Sequence, residues 1–454
     1  MKTKNKTEIN YNILNILFFI FPLTFITGIG TLNITILLIC IIGAITFRDK
    51  LHLVENKKII ISLSLFFVLL IFFTFLDNLD DYKNEQVIRS IKYLRFLLFF
   101  LITSIFIKIG KFNFKLFLVS SSFLALILSL DIIFQFFTGF NFLGFKAYEF
   151  SRYHLSGFLR EELVAGGIIQ KLSLFIILLF PYFFKRFNDY KFITTLSLIV
   201  IFFLGIFLSG NRMPLIMFMF SLLIIFLIIK KTRVQVALST VLCVIIFFTI
   251  IKTQENMRIY YKSFYENSSG LISNLIEYSG KVYPDLEKEK KPFLQTKIFH
   301  EKGKADQSAV AKYDVQTFGS GHMIIYLTAI DLWNDRPFLG SGIKSFRKKC
   351  SSKLHLPNRI CESHSHNIYL DLLNDLGLLG ILPLIFSIFF ILKNQISNLR
   401  KLNYFEHLFI LAFIIGLFIE IFPFRSSGNF FSTYNSSFIF FLLAVLNGFK
   451  GSKS

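Results

Sequence analysis

Apolar residues in this chain fall in long uninterrupted runs, separated by short polar stretches and one long one. Twelve runs stand out: 11–28, 31–47, 59–76, 91–109, 113–137, 165–184, 192–209, 213–229, 234–252, 376–392, 405–422 and 429–448. A helix needs about 20 mostly apolar residues to cross a hydrocarbon core of about 30 Å. Barrel strands alternate and are shorter. Continuous runs therefore predict helices, whose backbone groups are satisfied internally where water is absent. The expected fold is an all-α membrane protein of about twelve transmembrane helices. The first run follows Lys2, Lys4 and Lys6. It lacks a small-residue cleavage site and further spans follow, so it reads as a retained helix rather than a signal peptide.

The long polar stretch divides the chain into nine spans (1–252), an extramembrane loop (253–375) and three spans with a tail (376–454). From Gln254 to about Thr317 the loop is charged and weakly periodic, as at Glu287 to Lys291, which predicts irregular structure. From His322 to Trp333, Met323, Ile324, Tyr326, Leu327, Ile330 and Leu332 recur with a helical period. Asp335-Arg336-Pro337 ends that helix. Gly340-Ser341-Gly342 then reads as a flexible turn where backbone can approach a ligand. Residues 322–375 are expected to form a layer of short helices over the spans.

Composition agrees with a membrane protein: 54% of the 454 residues are hydrophobic, and 61 are Phe. The net charge of +21 would suit nucleic acid, but its distribution argues otherwise. Basic residues gather in alternate short loops, at Lys2/Lys4/Lys6, Arg48/Lys50/Lys57/Lys58, Lys108/Lys111/Lys115, Lys185/Arg186/Lys191, Lys230/Lys231/Arg233, Lys393/Arg400/Lys401 and Lys450/Lys453. That alternation is the positive-inside pattern of a polytopic protein. It puts both termini in the cytoplasm and the loop 253–375 outside, and it points to a bilayer and not to a nucleic acid as partner.

Two of the four cysteines, Cys40 and Cys243, fall inside spans and read as packing residues. Cys350 and Cys361 lie in the outward loop, where an oxidising compartment permits a disulfide just before His364. Their spacing is not a zinc pattern, although adding His364 and His366 makes a metal site conceivable. The pairing is favoured, and no metal or cofactor is assigned.

Arginines on the outward side run against the charge bias and need reasons. Arg212 stands in the minimal turn Ser209-Gly210-Asn211-Arg212. Arg152 and Arg160 lie in the loop 138–164, Arg425 in the turn 423–428, and Arg336 and Arg347 in the large loop. A guanidinium fork binds phosphate oxygens bidentately. Each arginine can equally pair with a nearby acid or reach lipid headgroups.

The run His364-Ser365-His366-Asn367 sits where the polar loop meets the tenth span, and an imidazole there can move a proton near neutral pH. Nine residues separate Asn367 from Gly377-Leu378-Leu379-Gly380. This arrangement resembles the signature of the O-antigen ligase and O-antigen polymerase superfamily. Three further stretches share the resemblance: Ser209-Gly210-Asn211-Arg212; Gly319-Ser320-Gly321-His322 with Trp333 and Pro337 to Gly342; and Gly157-Phe158 with Glu162 and Gly166. It covers roughly residues 140–450. One departure is His322, where that superfamily usually carries arginine; either Arg336 or Arg347 substitutes, or the chain handles a somewhat different donor.

The resemblance implies a GT-C-like, metal-independent inverting glycosyltransferase of the bacterial inner membrane. Its donor would be an undecaprenyl diphosphate-linked glycan, and its acceptor lipid A–core or a second lipid-linked glycan. His366 would be the base that deprotonates the acceptor, with His364 as competitor. Arg212, then Arg160 and Arg152, would stabilise the diphosphate, with His322 and Arg336 as further donors. Asn367 would orient the acceptor or fix the imidazole tautomer, and Gly377 and Gly380 would allow close packing. Asp371 and Asp375 share a helix face; either could orient His366 or pair an arginine, but the preferred reading is solvated helix-start carboxylates. His52, His154, His300, His355 and His407 receive no role.

Ligase and polymerase share donor and fold, and transfer onto a protein shares the motif; the ligase reading is preferred. A twelve-span transporter is the alternative from another class. Carriers usually show related halves and broken spans, whereas this loop splits the chain nine to three, and Asp131 and Glu420 are the main ionisable residues within the spans.

Overall fold

The computed structural model describes residues 2–53, 56–79, 85–149, 151, 153–183, 191–265, 321–356 and 359–451. Among them there is no strand, only an isolated bridge between Phe140 and Lys146. The helices are α1 (Lys2–Thr27), α2 (Ile29–Phe47), α3 (Lys57–Leu76), α4 (Glu85–Tyr93), α5 (Arg95–Lys108), α6 (Phe114–Thr138), α7 (Ala165–Phe183) and α8 (Lys191–Leu208). They continue with α9 (Arg212–Ile228), α10 (Arg233–Thr253), α11 (255–265), α12 (Gly321–Asp335), α13 (Phe346–Lys349), α14 (Ile368–Asn398), α15 (Tyr404–Glu420) and α16 (Thr433–Gly448).

Every predicted apolar run falls on a helix. Nine described segments are long and apolar enough to cross a membrane, while α9 and α16 are apolar but shorter. One element differs from expectation. Residues 255–265 are helical where irregular chain was expected; the rest of that stretch, 266–320, lies outside the described residues. α14 starts at Ile368, so the helix face shared by Asp371 and Asp375 precedes the apolar run that begins at 376.

Phenylalanine builds the core. α14 packs on α3, α16 on α5, and α6 lies against α1, α7 and α8. Phe18, Phe21, Phe99, Phe112, Phe117 and Phe441 meet ring to ring between α1, α5, α6 and α16. Such pairs add about 0.5–1.5 kcal/mol each beyond the area they bury.

The two ends of the bundle differ in chemistry. At one end the basic connections touch: Lys50 and Lys111 both lie over Tyr11, and Lys231 lies over Tyr404, which also meets Tyr182. At the other end the loops carrying Arg212, Arg336 and His366 lie against the ends of α3, α8 and α15.

Candidate active site

The His366-Asn367 pair is clamped by backbone hydrogen bonds. Asn367 caps α14: its Oδ1 accepts the N–H groups of Tyr369 and Leu370 at 2.9 and 3.2 Å. Its Nδ2 donates to the Pro423 carbonyl at 2.8 Å. Both ends of the amide are thus engaged in structure, and the expected role in orienting an acceptor is not what its contacts serve. The Ser427 N–H donates to the His366 carbonyl at 2.9 Å. Asp371 accepts from the Ser365 hydroxyl at 2.8 Å and from the Phe430 N–H at 3.2 Å. It is 1% exposed, which corrects its reading as a solvated carboxylate. These contacts hold His366 at φ +57°, a conformation side-chain-bearing residues seldom adopt.

Three imidazoles meet there. The His364 and His366 rings lie 4.0 Å apart between centroids, and the first-turn His322 of α12 lies 4.9 Å from His366. Burial, then His364 and His322, pushes His366 down to about 4. It is therefore neutral at pH 7, with a lone pair able to accept a proton. His322 is also held below its ordinary value, by burial and then by His364, although Glu362 opposes this. The residue at the expected arginine position is thus neutral at pH 7 and part of the histidine cluster, rather than a cation awaiting phosphate.

The second glycine motif explains itself through the loop Pro337–Gly342. α14 is kinked at Gly377, whose φ of 60° and ψ of −173° are open essentially to glycine alone. The kink exposes N–H groups that the loop carbonyls take: Leu378 donates to Pro337 and Leu379 to Phe338, at 2.9 and 3.1 Å. In return Ser341 and Gly342 donate to Asn374 and Asp375 at 2.8 and 2.9 Å. The buried Asp375 carboxylate accepts from the Lys344 and Ser345 N–H groups and from the Ser345 hydroxyl. Close backbone approach is indeed the use of this turn, but towards α14 rather than a ligand. Gly380 faces Phe73 of α3, in keeping with a packing role.

A Cβ at Gly377 would come within 2.3 Å of the Phe338 backbone. Gly377→Ala is expected to cost about 1–3 kcal/mol in backbone conformation alone, and to undock the loop. Trp333, the sole tryptophan, reports this because its Nε1 donates to the Pro337 carbonyl at 3.1 Å. A lower Tm and red-shifted emission are the expected readouts.

A second centre surrounds Arg212. The turn before it docks on the end of the loop 153–166: Asn211 accepts from the Gly166 N–H at 2.9 Å and donates to the Leu163 carbonyl at 3.0 Å. Gly210, at φ +74°, passes so close to the Tyr153 carbonyl that a Cβ would sit 2.3 Å from it. Arg212 donates to the Tyr260 carbonyl at 2.8 Å and stacks 3.5 Å above the Tyr260 ring. Among the described residues no carboxylate pairs with it, so aromatic and carbonyl partners hold the guanidinium while leaving its charge uncancelled. The Tyr260 hydroxyl donates to the Gly210 carbonyl at 2.9 Å and lies 3.1 Å from His154 Nε2. His154, given no role from sequence, therefore belongs to this centre; burial and Arg212 keep it below its ordinary value.

The remaining candidates divide. Arg160 is exposed, with its guanidinium 4.5 Å from the Phe145 ring. Arg152 lies outside the described residues. Arg336 is not a free donor: it pairs with the nearly buried Asp77, which Lys349 also contacts at 2.6 Å. Arg425 is paired as well, with Glu420 at 2.7 Å. Cys350 and Cys361 are joined in a disulfide. Arg359 pairs with Asp331, and the Ile360 N–H donates to Thr328 at 3.1 Å, so α12 shares the bracing of the segment before His364. Cys350→Ser is expected to cost about 2–5 kcal/mol, checked by Tm with and without reductant. Sequence reasoning missed Tyr260, hidden in a polar stretch, and Lys171, although a lone cation inside the run 165–184 was a visible signal.

No curated protein matches the chain. Residues 197–386 match the family model described as O-antigen ligase. The matched stretch contains Arg212, His322, the Pro337–Gly342 loop and the segment from His366 to Gly380. Over this stretch, which is less than half of the chain, the protein is similar to that family.

Proposed function

We propose that this protein is an O-antigen ligase-type glycosyltransferase. It moves a glycan from undecaprenyl diphosphate to a lipid A–core acceptor at the periplasmic face of the inner membrane. The observation that carries this reading is His366: a neutral imidazole, fixed at the mouth of an apolar helix, in the segment that matches the family. The family match supports ligase or polymerase chemistry, and the segregation of basic loops to the end opposite His366 supports an outward site. Twelve spans with both termini inside complete the picture.

In this mechanism the acceptor hydroxyl attacks the anomeric carbon from the face opposite the diphosphate, inverting the centre. Its proton passes to the free ring nitrogen of His366 as the new C–O bond forms. The anomeric bond to the diphosphate breaks, and undecaprenyl diphosphate leaves with the electron pair. Arg212, which no described carboxylate pairs with, stabilises the oxygens on which that charge grows, the task a metal performs elsewhere.

A base held at about 4 is weak in the free enzyme. The anionic donor favours imidazolium and raises it. The base must be neutral, so activity falls as pH drops through its pKa. The acid limb of kcat, which reports the donor complex, is therefore expected at higher pH than that of kcat/KM, which reports the free enzyme. Coincident limbs would contradict donor-assisted activation.

Complementation identifies the acceptor. Expression in a strain lacking its ligase is expected to restore long chains on lipopolysaccharide, and expression in a strain lacking its polymerase is not. The reverse pattern would make it a polymerase, and no restoration in either would overturn the assignment.

A further inference from the structure

A buried charge cluster lies beside the histidines without being part of them. Lys171 of α7 ion-pairs with Glu420 at the end of α15. Arg425, in the turn that follows, lies 2.7 Å from the other Glu420 oxygen and donates to the Ile419 carbonyl at 3.1 Å. The side chains of Lys171, Glu420 and Arg425 are 12%, 3% and 8% exposed. Charges so far from water are expensive unless their geometry is needed. The turn they fix is the one that grips the histidine motif. Pro423 accepts from Asn367 at 2.8 Å, Ile421 accepts from the Tyr369 hydroxyl at 2.5 Å, and Ser427 donates to His366 at 2.9 Å.

We infer that Lys171, Glu420 and Arg425 are the positioning residues of the catalytic histidine. They hold the turn 421–427 so that His366 keeps its left-handed backbone and its ring stays beside His322 and His364. A non-glycine residue at φ +57° persists only where surrounding contacts over-determine it, and two of those contacts originate in this turn. The inference rests on reading His366 as the base and adds what holds it in place. None of the three charged groups is asked to touch substrate.

The test reads the ring environment without needing substrate. The titratable groups around His366 are His364 on its own segment and His322 of α12, with Glu362 beside His322, Tyr326 of α12 stacked near His322, and Asp371 of α14 facing His364. The full chain in lipid nanodiscs is treated with diethyl pyrocarbonate across pH, and acylation of His366 is followed by tandem mass spectrometry. In the unmodified protein, labelling is expected to persist until pH falls to about 4. In Glu420→Gln the ring moves away from its neighbours, and the half-point rises by about one unit or more towards the ordinary value near 6.5. Transfer from a polyprenyl diphosphate-linked glycan extracted from bacterial membranes falls about a hundredfold in kcat, as misplacement by about 1 Å does elsewhere, with KM little changed. Lys171→Arg keeps the charge and retains both properties. Should Glu420→Gln fail to fold, Ser427→Pro removes the N–H that His366 accepts without touching the charges, and the same half-point shift is expected. An unshifted half-point in a folded Glu420→Gln or Ser427→Pro protein overturns the inference. Undiminished transfer by His366→Gln overturns the base assignment instead, and the labelling experiment separates the two.

Discussion

Replacing His366 with glutamine is expected to lower glycan transfer by about 10²–10⁴-fold, the usual worth of a positioned general base. Glutamine approximates the size of imidazole and can keep a polar contact, but it cannot accept the acceptor proton. The backbone contacts from Asn367 and Ser427 do not involve the ring, so the variant is expected to insert and to keep its Tm within a degree or two of the parent. The loss should appear in kcat, with donor KM little changed. His364→Gln separates the two candidates. His364 Nδ1 lies 2.8 Å from the Ser363 hydroxyl and its ring is tilted against that of His366. Losing it removes one of the influences that hold His366 down, so the kcat/KM acid limb should move to higher pH while transfer persists. If the His364 variant is dead and the His366 variant active, the roles are exchanged.

The second large effect is expected at Arg212. Arg212→Ala removes the guanidinium that no described carboxylate pairs with, and kcat is expected to fall about 10²–10³-fold, as when an anion-stabilising donor is removed elsewhere. Arg212→Lys keeps the charge but not the planar fork that stacks on Tyr260 while donating to its carbonyl, so it should recover only part of the loss. Tyr260→Leu deletes the hydroxyl that joins His154 to Gly210 and the ring under the guanidinium, and it should reproduce much of the Arg212→Ala defect. Steady-state transfer rates at saturating donor check the series. An Arg212→Ala protein with normal kcat and raised KM would mean uniform donor binding instead of help to the leaving group.

The apolar runs foretold where the helices lie because burial in lipid is written residue by residue. The burial of Asp371 and Asp375 was not legible, because acids at a helix start look solvated. Asp371 and Asp375 serve as helix residues only because Ser365, Phe430, Lys344 and Ser345 come from elsewhere to satisfy them. The same limit applied to arginines. Their number and side could be read from charge bias, but Arg336 is engaged by Asp77, 259 residues away, while Arg212 meets no acid among the described residues. Glycine motifs were visible as motifs, yet the φ of Gly377 and its contact with Phe338 exist only once the 337–342 loop is docked. His322 stood out as an exception in the motif; that it meets His366 edge-on depends on α12 packing against α14.

The central claim is that this chain itself transfers a glycan from a lipid diphosphate, with His366 taking the proton. Purified protein in nanodiscs, supplied with a polyprenyl diphosphate-linked glycan and lipid A–core, tests it most directly. The account predicts glycosylated lipid A–core and free polyprenyl diphosphate in equal amounts, and neither product above background with His366→Gln. Equal rates from the two proteins, or no polyprenyl diphosphate released by the unmodified one, would contradict it.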